Sequence, residues 1–127
     1  MAEPVACPDT APVLKTVAPY GETTPRGNVF GGWCLAQIDH GAGLVGRKIA
    51  QGDVVILSIK ELTFHAALYP GEEFVMHADL IRRGNSSFTL SLSAWAEPED
   101  ACRLIMSAEV VLVAVDEAGK PRKLPEH

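Results

Sequence analysis

One acidic residue, Asp39, lies within a stretch of small and apolar residues that carries almost no other charge before Arg47. A carboxylate among apolar neighbours loses hydration free energy unless it is hydrogen-bonded, paired or used in chemistry. The residues along the same side of a predicted helix are small enough to leave room for a ligand: Gly32, Ala36, Gly43 and Gly46. Asp39 is therefore the first candidate for a catalytic group. Two structural roles stay open: a hydrogen bond to loop amides, and exposure to solvent on one side of the helix.

Other motifs indicate chemistry only weakly. Residues 41–46 match the GxGxxG letters, but the match lies midway along a helix rather than between a strand and a helix, so packing explains the glycines better. His65 and His77 have no HxH, HxxxH or Cys/His spacing around them, so the sequence predicts no metal site. A GxSxG motif is missing around the serines that follow the second histidine, namely Ser86, Ser87 and Ser91, which argues against a serine hydrolase.

Positive charge is concentrated at two places in the sequence. Arg82 and Arg83 lie at a predicted hairpin, and Lys120, Arg122 and Lys123 lie near the C-terminus. Lysine and arginine side chains pair well with phosphate oxygens, so these residues could form the rim of a phosphate site. They could equally be an ordinary solvated surface.

Composition restricts the class of protein. The chain has 127 residues, of which 47% are hydrophobic, and this fits one domain with a substantial core. Its formal net charge of -5 argues against nucleic acid as a partner. Residues 1–13 lack the features of a signal peptide, and no apolar run approaches the ~18 residues of a membrane helix, so we expect a cytoplasmic location and no membrane partner. Cys7, Cys34 and Cys102 are odd in number and widely spaced, and predict no disulfide framework.

The apolar pattern predicts one long helix followed by four long strands. Between Gly31 and Ile49 the apolar residues recur at spacings of three and four, and the near absence of charge suggests a helix enclosed on most sides: Leu35, Ile38, Ala42, Val45 and Ile49. A short strand is predicted at 14–18, and alternating or β-branched patterns predict longer strands at 54–62, 74–81, 88–94 and 102–115.

These elements predict an α+β fold in which an antiparallel sheet curls around the helix. The third strand should direct Phe74, Met76, Ala78 and Leu80 to one face. The last strand should direct six residues to one face: Leu104, Met106, Ala108, Val110, Leu112 and Ala114. We expect a flexible arm at 1–13, a single domain at 14–119 and a basic tail at 120–127.

The segment Gly27-Asn-Val-Phe-Gly-Gly-Trp33, with Asp39 and Gly43 after it, closely resembles the hotdog-fold acyl-CoA thioesterases, in particular the bacterial YciA-type enzymes and the brain-type acyl-CoA hydrolases. The resemblance extends from about Leu14 to Pro125. It implies a long central helix wrapped by a curved antiparallel sheet of about five strands. It also implies that two protomers pair into one continuous sheet, that the dimers usually assemble into hexamers, and that active sites lie between protomers.

The same resemblance implies hydrolysis of acyl-CoA to a carboxylic acid and CoA, with CoA as part of the substrate and no separate cofactor. Asp39 would act as general base or nucleophile, Thr24 would hold water, and the amides of Gly31 and Gly32 would polarise the thioester carbonyl. We expect Asp39 to lie beside these amides of its own helix. Substrate contacts are expected from Asn28, Phe30, Trp33, His65, Arg83, Asn85, Ser86, Ser87, Lys120, Arg122 and Lys123.

Two positions depart from the family pattern. Where the family commonly has Asp-Thr-Asn, with the asparagine holding the attacking water, this chain has Glu22, Thr23 and Thr24, so a hydroxyl replaces an amide. Asn85 stands where relatives often place an arginine near the CoA nucleotide. Two alternative functions stay open: an acyl-CoA-binding regulatory module with weak or no turnover, and a hotdog enoyl-CoA hydratase or dehydratase, although the histidine and carboxylate segments typical of the latter are missing.

Overall fold

The computed structural model describes residues 7–97 and 101–126, which form one helix and one five-stranded sheet. The elements, in chain order, are β1 (Leu14–Val17), α1 (Gly31–Ala50), β2 (Val54–Phe64), β3 (Glu73–Arg83), β4 (Ser87–Ala96) and β5 (Arg103–Ala114). The strand order in the sheet is β1-β3-β4-β5-β2, and every neighbouring pair is antiparallel. The predicted α+β architecture, with one long helix and an antiparallel sheet of about five strands, is confirmed.

The helix packs one face against the sheet. The predicted apolar stripe is confirmed, because Ile38 and Ala42 are buried and the other three members are half-buried. α1 contacts β2, β3, β4 and β5. The helix also lies close to the sheet at Gly46, where an added Cβ would lie 3.0 Å from Leu112 and 3.1 Å from Val54. A larger residue here would therefore push the helix away from the sheet.

The opposite side of α1 is uncovered in a single chain. Gly32, Ala36 and Asp39 are all exposed, so the expectation of a helix enclosed on most sides is wrong for one protomer. Strand β2, at the edge of the sheet, is also apolar and exposed: Leu57 is 61% exposed and Val55 is 45% exposed. An apolar edge strand with unpaired backbone groups is a surface on which another chain can pair.

The strand faces follow the alternation except near two irregularities. Phe74, Met76 and five of the six predicted residues of β5 are buried, but Leu104 is only half-buried. The register shifts by one residue between β4 and β5 after Ala94, and Ile105 takes the core position instead. A bulge reverses the alternation of side chains, which a strict period of two does not anticipate. Leu80 is 40% exposed and lies at the second irregularity, where the register between β3 and β4 shifts after Leu80.

The N-terminal arm is attached to the sheet by a disulfide between Cys7 and Cys102. The sequence-based expectation of no disulfide framework is therefore wrong, because 95 residues separate the two cysteines and only the fold brings them together. The arm also covers His77, which is buried on the outer face of the sheet and has its Nδ1 3.1 Å from the Thr10 hydroxyl. Residues 1–6 of the predicted arm lie outside the described residues.

The C-terminal segment packs onto the domain. Leu124 is buried in the core, and its amide donates to the Asn85 carbonyl at 2.9 Å. Arg122 donates from Nε to the Val115 carbonyl at 2.9 Å and from Nη2 to the Ala50 carbonyl at 3.0 Å. The guanidinium thus donates a hydrogen bond to a carbonyl in the last turn of α1, where carbonyl groups have no amide donor within the helix.

Candidate active site

A cavity of about 400 Å³ opens at the first turn of α1. Its walls come from the loop before the helix, the helix start, the end of β2 with the loop after it, and the bulge of β5. Most lining side chains are apolar, and the polar ones are Asn28 and His65. The complete lining is Asn28, Val29, Gly31, Cys34, Phe64, His65, Ala66, Ala67, Leu68 and Ile105. A mostly apolar pocket with a few polar groups is the usual form of a small-molecule site.

The first turn of α1 borders this cavity at Gly31, whereas Gly32, the other predicted amide donor, is exposed and is not among the lining residues. Phe30 precedes the helix, and no side chain among the described residues caps it. The first amides of a helix have no intrahelical acceptor and lie at the positive end of the helix dipole, so they can donate to an anionic oxygen. A Cβ at Gly31 would lie 3.3 Å from the Phe64 ring, so glycine keeps this amide accessible without displacing the ring.

The loop before the helix is organised by Thr24 and Asn28. The Thr24 hydroxyl donates to Asn28 Oδ1 at 2.6 Å, and the Thr24 amide donates to the Asn28 carbonyl at 2.8 Å. Thr24 has a single hydroxyl proton, and this bond uses it. The side chain that lines the cavity here is Asn28, whose Nδ2 also donates to the Val29 carbonyl at 3.3 Å. Thr24 therefore orients an amide side chain at the cavity.

Two further polar or sulfur-bearing side chains line the cavity. His65 has its Nε2 2.7 Å from the Ser107 hydroxyl, which fixes the ring against β5. Cys34 is buried, and burial raises the pKa of its thiol to about 11, partly opposed by a backbone hydrogen bond. A neutral thiol is a poor nucleophile, so Cys34 serves as an apolar wall of the cavity.

Asp39 is not among the lining residues. It lies eight residues after Gly31, which is about 12 Å along the helix, and it is exposed. The expectation that Asp39 lies beside the amides of its own helix is therefore wrong. The predicted small-residue stripe also divides in two, because Gly32, Ala36 and Asp39 face out whereas Gly46 faces the sheet.

The predicted basic rim is partly assembled around a second cavity of about 400 Å³. This cavity is lined by Arg83, Gly84, Asn85, Lys123, Leu124, Pro125 and Glu126. Arg83 reaches across to the Pro125 carbonyl and donates a hydrogen bond to it. Ser86, Ser87, Lys120 and Arg122 do not line the cavity, and Lys120 is exposed in the turn after β5.

The two predicted aromatic contacts lie outside the first cavity. Phe30 is 48% exposed next to the helix start. Trp33 is half-buried and packs edge-on against Phe74 with ring centroids 5.2 Å apart. Trp33 therefore contributes to the core, while Phe30 is left facing outwards.

Comparison with known proteins identifies the family. The profile of the thioesterase superfamily matches residues 26–103. The acyl-CoA thioester hydrolase YciA of Salmonella typhimurium is 33% identical over 118 residues, covering 89% of each chain. This chain belongs to the thioesterase superfamily.

Solved structures agree with this assignment. A hexameric thioesterase from Yersinia pestis superimposes with a TM-score of 0.89 at 35% identity, over 95% of this chain and all of that one. A hexameric hotdog fold thioesterase of Campylobacter jejuni gives a TM-score of 0.84 at 30% identity, over 90% of each chain. The expected hotdog fold is thereby confirmed for this thioesterase.

Sequence reasoning did not identify most of the cavity wall of this thioesterase. Val29, Leu68 and Ile105 are apolar and read as ordinary core residues, and Ala66 and Ala67 carry no chemical signal. Of the lining residues, the sequence predicts only Asn28, Gly31 and His65 as members of the site. In the described part of the chain, one group of side chains lies close enough to share a metal ion, Cys7, Glu97 and Cys102, and its two cysteines are joined. No helix there is long and apolar enough to cross a membrane.

Proposed function

We propose that this thioesterase hydrolyses acyl-CoA to a carboxylic acid and CoA. The observation that carries the proposal is the uncapped start of α1, whose amides meet an apolar cavity at Gly31. Attack on a thioester places negative charge on the carbonyl oxygen, and preorganised amide donors stabilise that charge. The names of the relatives, acyl-CoA thioester hydrolases and thioesterases, support the same reaction. No cofactor is needed, since CoA is part of the substrate.

Asp39 acts on the cavity of a partner protomer in this proposal. It lies about 12 Å along α1 from its own cavity, so it has no direct route to a thioester bound there. In a dimer, two α1 helices can pack antiparallel across a two-fold axis. If this axis passes near residue 35, Asp39 of one protomer lies at the same height as Gly31 of its partner. Ala36, exposed and small, lies at that crossing and permits close approach of the backbones. Asp39 then activates water as a general base, or attacks the thioester directly.

A homo-oligomer supplies the required partner. The apolar edge strand β2 offers a place for two sheets to join, and the solved relatives from Yersinia pestis and Campylobacter jejuni are hexameric. We therefore assign dimers that assemble into a hexamer. Arg83 and Lys123 hold CoA phosphates in this scheme, because both residues line the second cavity together with Asn85.

We assign the enzyme to the cytoplasm, as the sequence analysis expects, where acyl-CoA is a metabolite. Reducing systems of that compartment keep most cysteine pairs as thiols. Cys7 and Cys102 are then free thiols in the cell and form the disulfide in oxidised preparations. Mass spectrometry after rapid alkylation of whole cells would reveal the state of this pair.

The test uses two single substitutions and their mixture. Asp39→Asn removes the proton acceptor and is expected to lower kcat about 10²–10⁴-fold with little change in KM. Gly31→Pro removes one amide donor and is expected to lower kcat about 10²–10³-fold. The backbone suits proline at this first helical position, because Phe30 has φ -57 and ψ 138, the conformation required before proline. The proline Cβ would meet the Phe64 ring, so Gly31→Ala, which adds a Cβ but keeps the amide, is the matched control.

Mixing the two variants tests whether the site is shared. If Asp39 serves the partner's cavity, each mixed dimer contains one site with both native groups, so random reassembly restores about one quarter of the wild-type activity. If both groups act within one protomer, the mixture stays as inactive as its components. Thiol release from acyl-CoA measures both cases. Near-normal turnover by Asp39→Asn on every acyl-CoA tested would exclude the catalytic role of Asp39.

A further inference from the structure

The loop between β2 and β3, residues 65–72, forms one wall of the first cavity, and we refer to it as the pocket loop. Its members Ala66, Ala67 and Leu68 line the cavity. The Leu68 carbonyl accepts from the Val29 amide at 2.8 Å, two residues before α1 begins. The position of the pocket loop is therefore linked to both the width of the cavity and the approach to the helix.

The Arg103 side chain holds the pocket loop in place through several contacts. Arg103, the first residue of β5, donates from Nη2 to the Ala67 carbonyl at 2.9 Å and to Glu72 Oε1 at 2.6 Å. The same Glu72 oxygen accepts from the Tyr69 amide at 2.7 Å. The guanidinium carbon also lies 6.0 Å from the centre of the Tyr69 ring. One side chain thus connects the middle of the loop to its end.

The ion pair within this network is largely withdrawn from solvent. The side chains of Arg103 and Glu72 are 14% and 20% exposed, respectively. Charges that are screened little by water hold their partners in a defined geometry, and the loss of one partner leaves the other charge and the Ala67 carbonyl unpaired. By contrast, the pair Lys15–Glu73 is separated by 3.3 Å and is 54% and 44% exposed. Among the described residues, the Lys15 side chain pairs with Glu73 and forms no hydrogen bond to the pocket loop, so Lys15 provides a matched control.

We propose that Arg103 is a positioning residue that sets the shape of the acyl pocket and thereby selects acyl chains by length. This inference rests on the proposed thioesterase function. The helix amides at Gly31 hold the thioester carbonyl, so the acyl chain extends from that point along the apolar side of the cavity. That side includes Leu68 of the pocket loop and Ile105 of the β5 bulge. Arg103 touches no substrate; it acts through the backbone of the loop that does.

The experiment compares kcat/KM for straight-chain acyl-CoAs from four to sixteen carbons in wild-type protein and three variants. Arg103→Met removes the charge and donors and should change the ratio of short-chain to long-chain kcat/KM about tenfold or more, mainly through KM. Arg103→Lys retains the charge and should give an intermediate ratio. Lys15→Met, at the exposed pair, should give the wild-type ratio.

The ratio separates positioning from simple loss of folded protein. A smaller fraction of folded enzyme lowers the rate on every substrate by the same factor and leaves the ratio unchanged. An unchanged ratio in Arg103→Met, with all rates reduced equally, would overturn the proposal. If Arg103→Met does not fold, the double variant Arg103→Met with Glu72→Leu removes both charges and still lacks the bond to Ala67. The same shift in ratio is expected for it, and an unchanged ratio overturns the proposal.

Failure of the proposed function is visible separately. Wild-type protein that hydrolyses none of these acyl-CoAs rejects thioester hydrolysis. In that case calorimetric affinities of the same proteins for carboxylic acids of four to sixteen carbons replace kcat/KM. A changed chain-length preference in Arg103→Met would still support the role of Arg103, and an unchanged preference would reject it.

Discussion

Reduction of the Cys7–Cys102 disulfide should destabilise this thioesterase strongly. The bond closes a loop across a sequence separation of 95 residues, which is most of the chain. In the chain-entropy treatment, a cross-link over this length lowers the entropy of the unfolded state by about 15–16 cal/mol/K. The free energy of unfolding should therefore fall by about 4–5 kcal/mol at 25 °C when the bond is reduced. Domains of this kind have only about 5–15 kcal/mol in total, so the loss is a large share.

Equilibrium unfolding in guanidinium chloride measures this difference. Oxidised protein should unfold at a midpoint about 1 M or more above that of protein kept in a phosphine reductant, given the usual slopes for a domain of this size. The variant Cys7→Ser with Cys102→Ser should match the reduced wild type and should not respond to reductant. Cys34 is retained in all samples because it is buried and separate from the pair.

Coincident midpoints for oxidised and reduced protein would refute the reasoning. That outcome would mean that the arm contributes no constraint to the unfolded chain. Thiol titration under denaturing, non-reducing conditions provides the accompanying count: one free thiol is expected, that of Cys34. Three free thiols in an oxidised preparation would show that the bond had not formed.

Three other predictions test separate contacts. Gln51, the first residue after α1, has a φ of 54, so Gln51→Gly should raise the free energy of unfolding by about 0.5–1 kcal/mol in urea, and a decrease would contradict this. Arg122→Met removes the donor to the Ala50 carbonyl and should cost about 1–3 kcal/mol, whereas Lys123→Met, at an exposed position, should change little. Burial raises the pKa of the Cys34 thiol to about 11 from 9.0. The contribution of this protonated thiol to the free energy of unfolding is therefore complete below pH 9 and is lost as the pH rises towards 11. Native protein at pH 8.5 should resist alkylation at this thiol, and rapid labelling there would disprove the assignment.

Much of the fold could be predicted from local patterns. The stripe of apolar residues from Leu35 to Ile49 determines which side of α1 meets the sheet, because a 3.6-residue period places these side chains on one face. Alternation in β4 and most of β5 determines the core face of each strand for the corresponding reason. The segment from Gly27 to Asp39 was specific enough to predict the family. Each of these signals spans fewer than twenty residues and needs no knowledge of distant contacts.

The candidate site was only partly predictable, because it depends on contacts between distant segments. The bulge that moves Ile105 into the cavity wall is a property of strand pairing, and the tie from Arg103 to Ala67 joins residues 36 positions apart. The Cys7–Cys102 bond likewise exists only where the arm meets the start of β5. Sequence alone determined that Asp39 lies on the same helix as the glycine amides. The tertiary structure decided that Asp39 is exposed and does not line the cavity of its own chain, because the sheet covers a different face of α1.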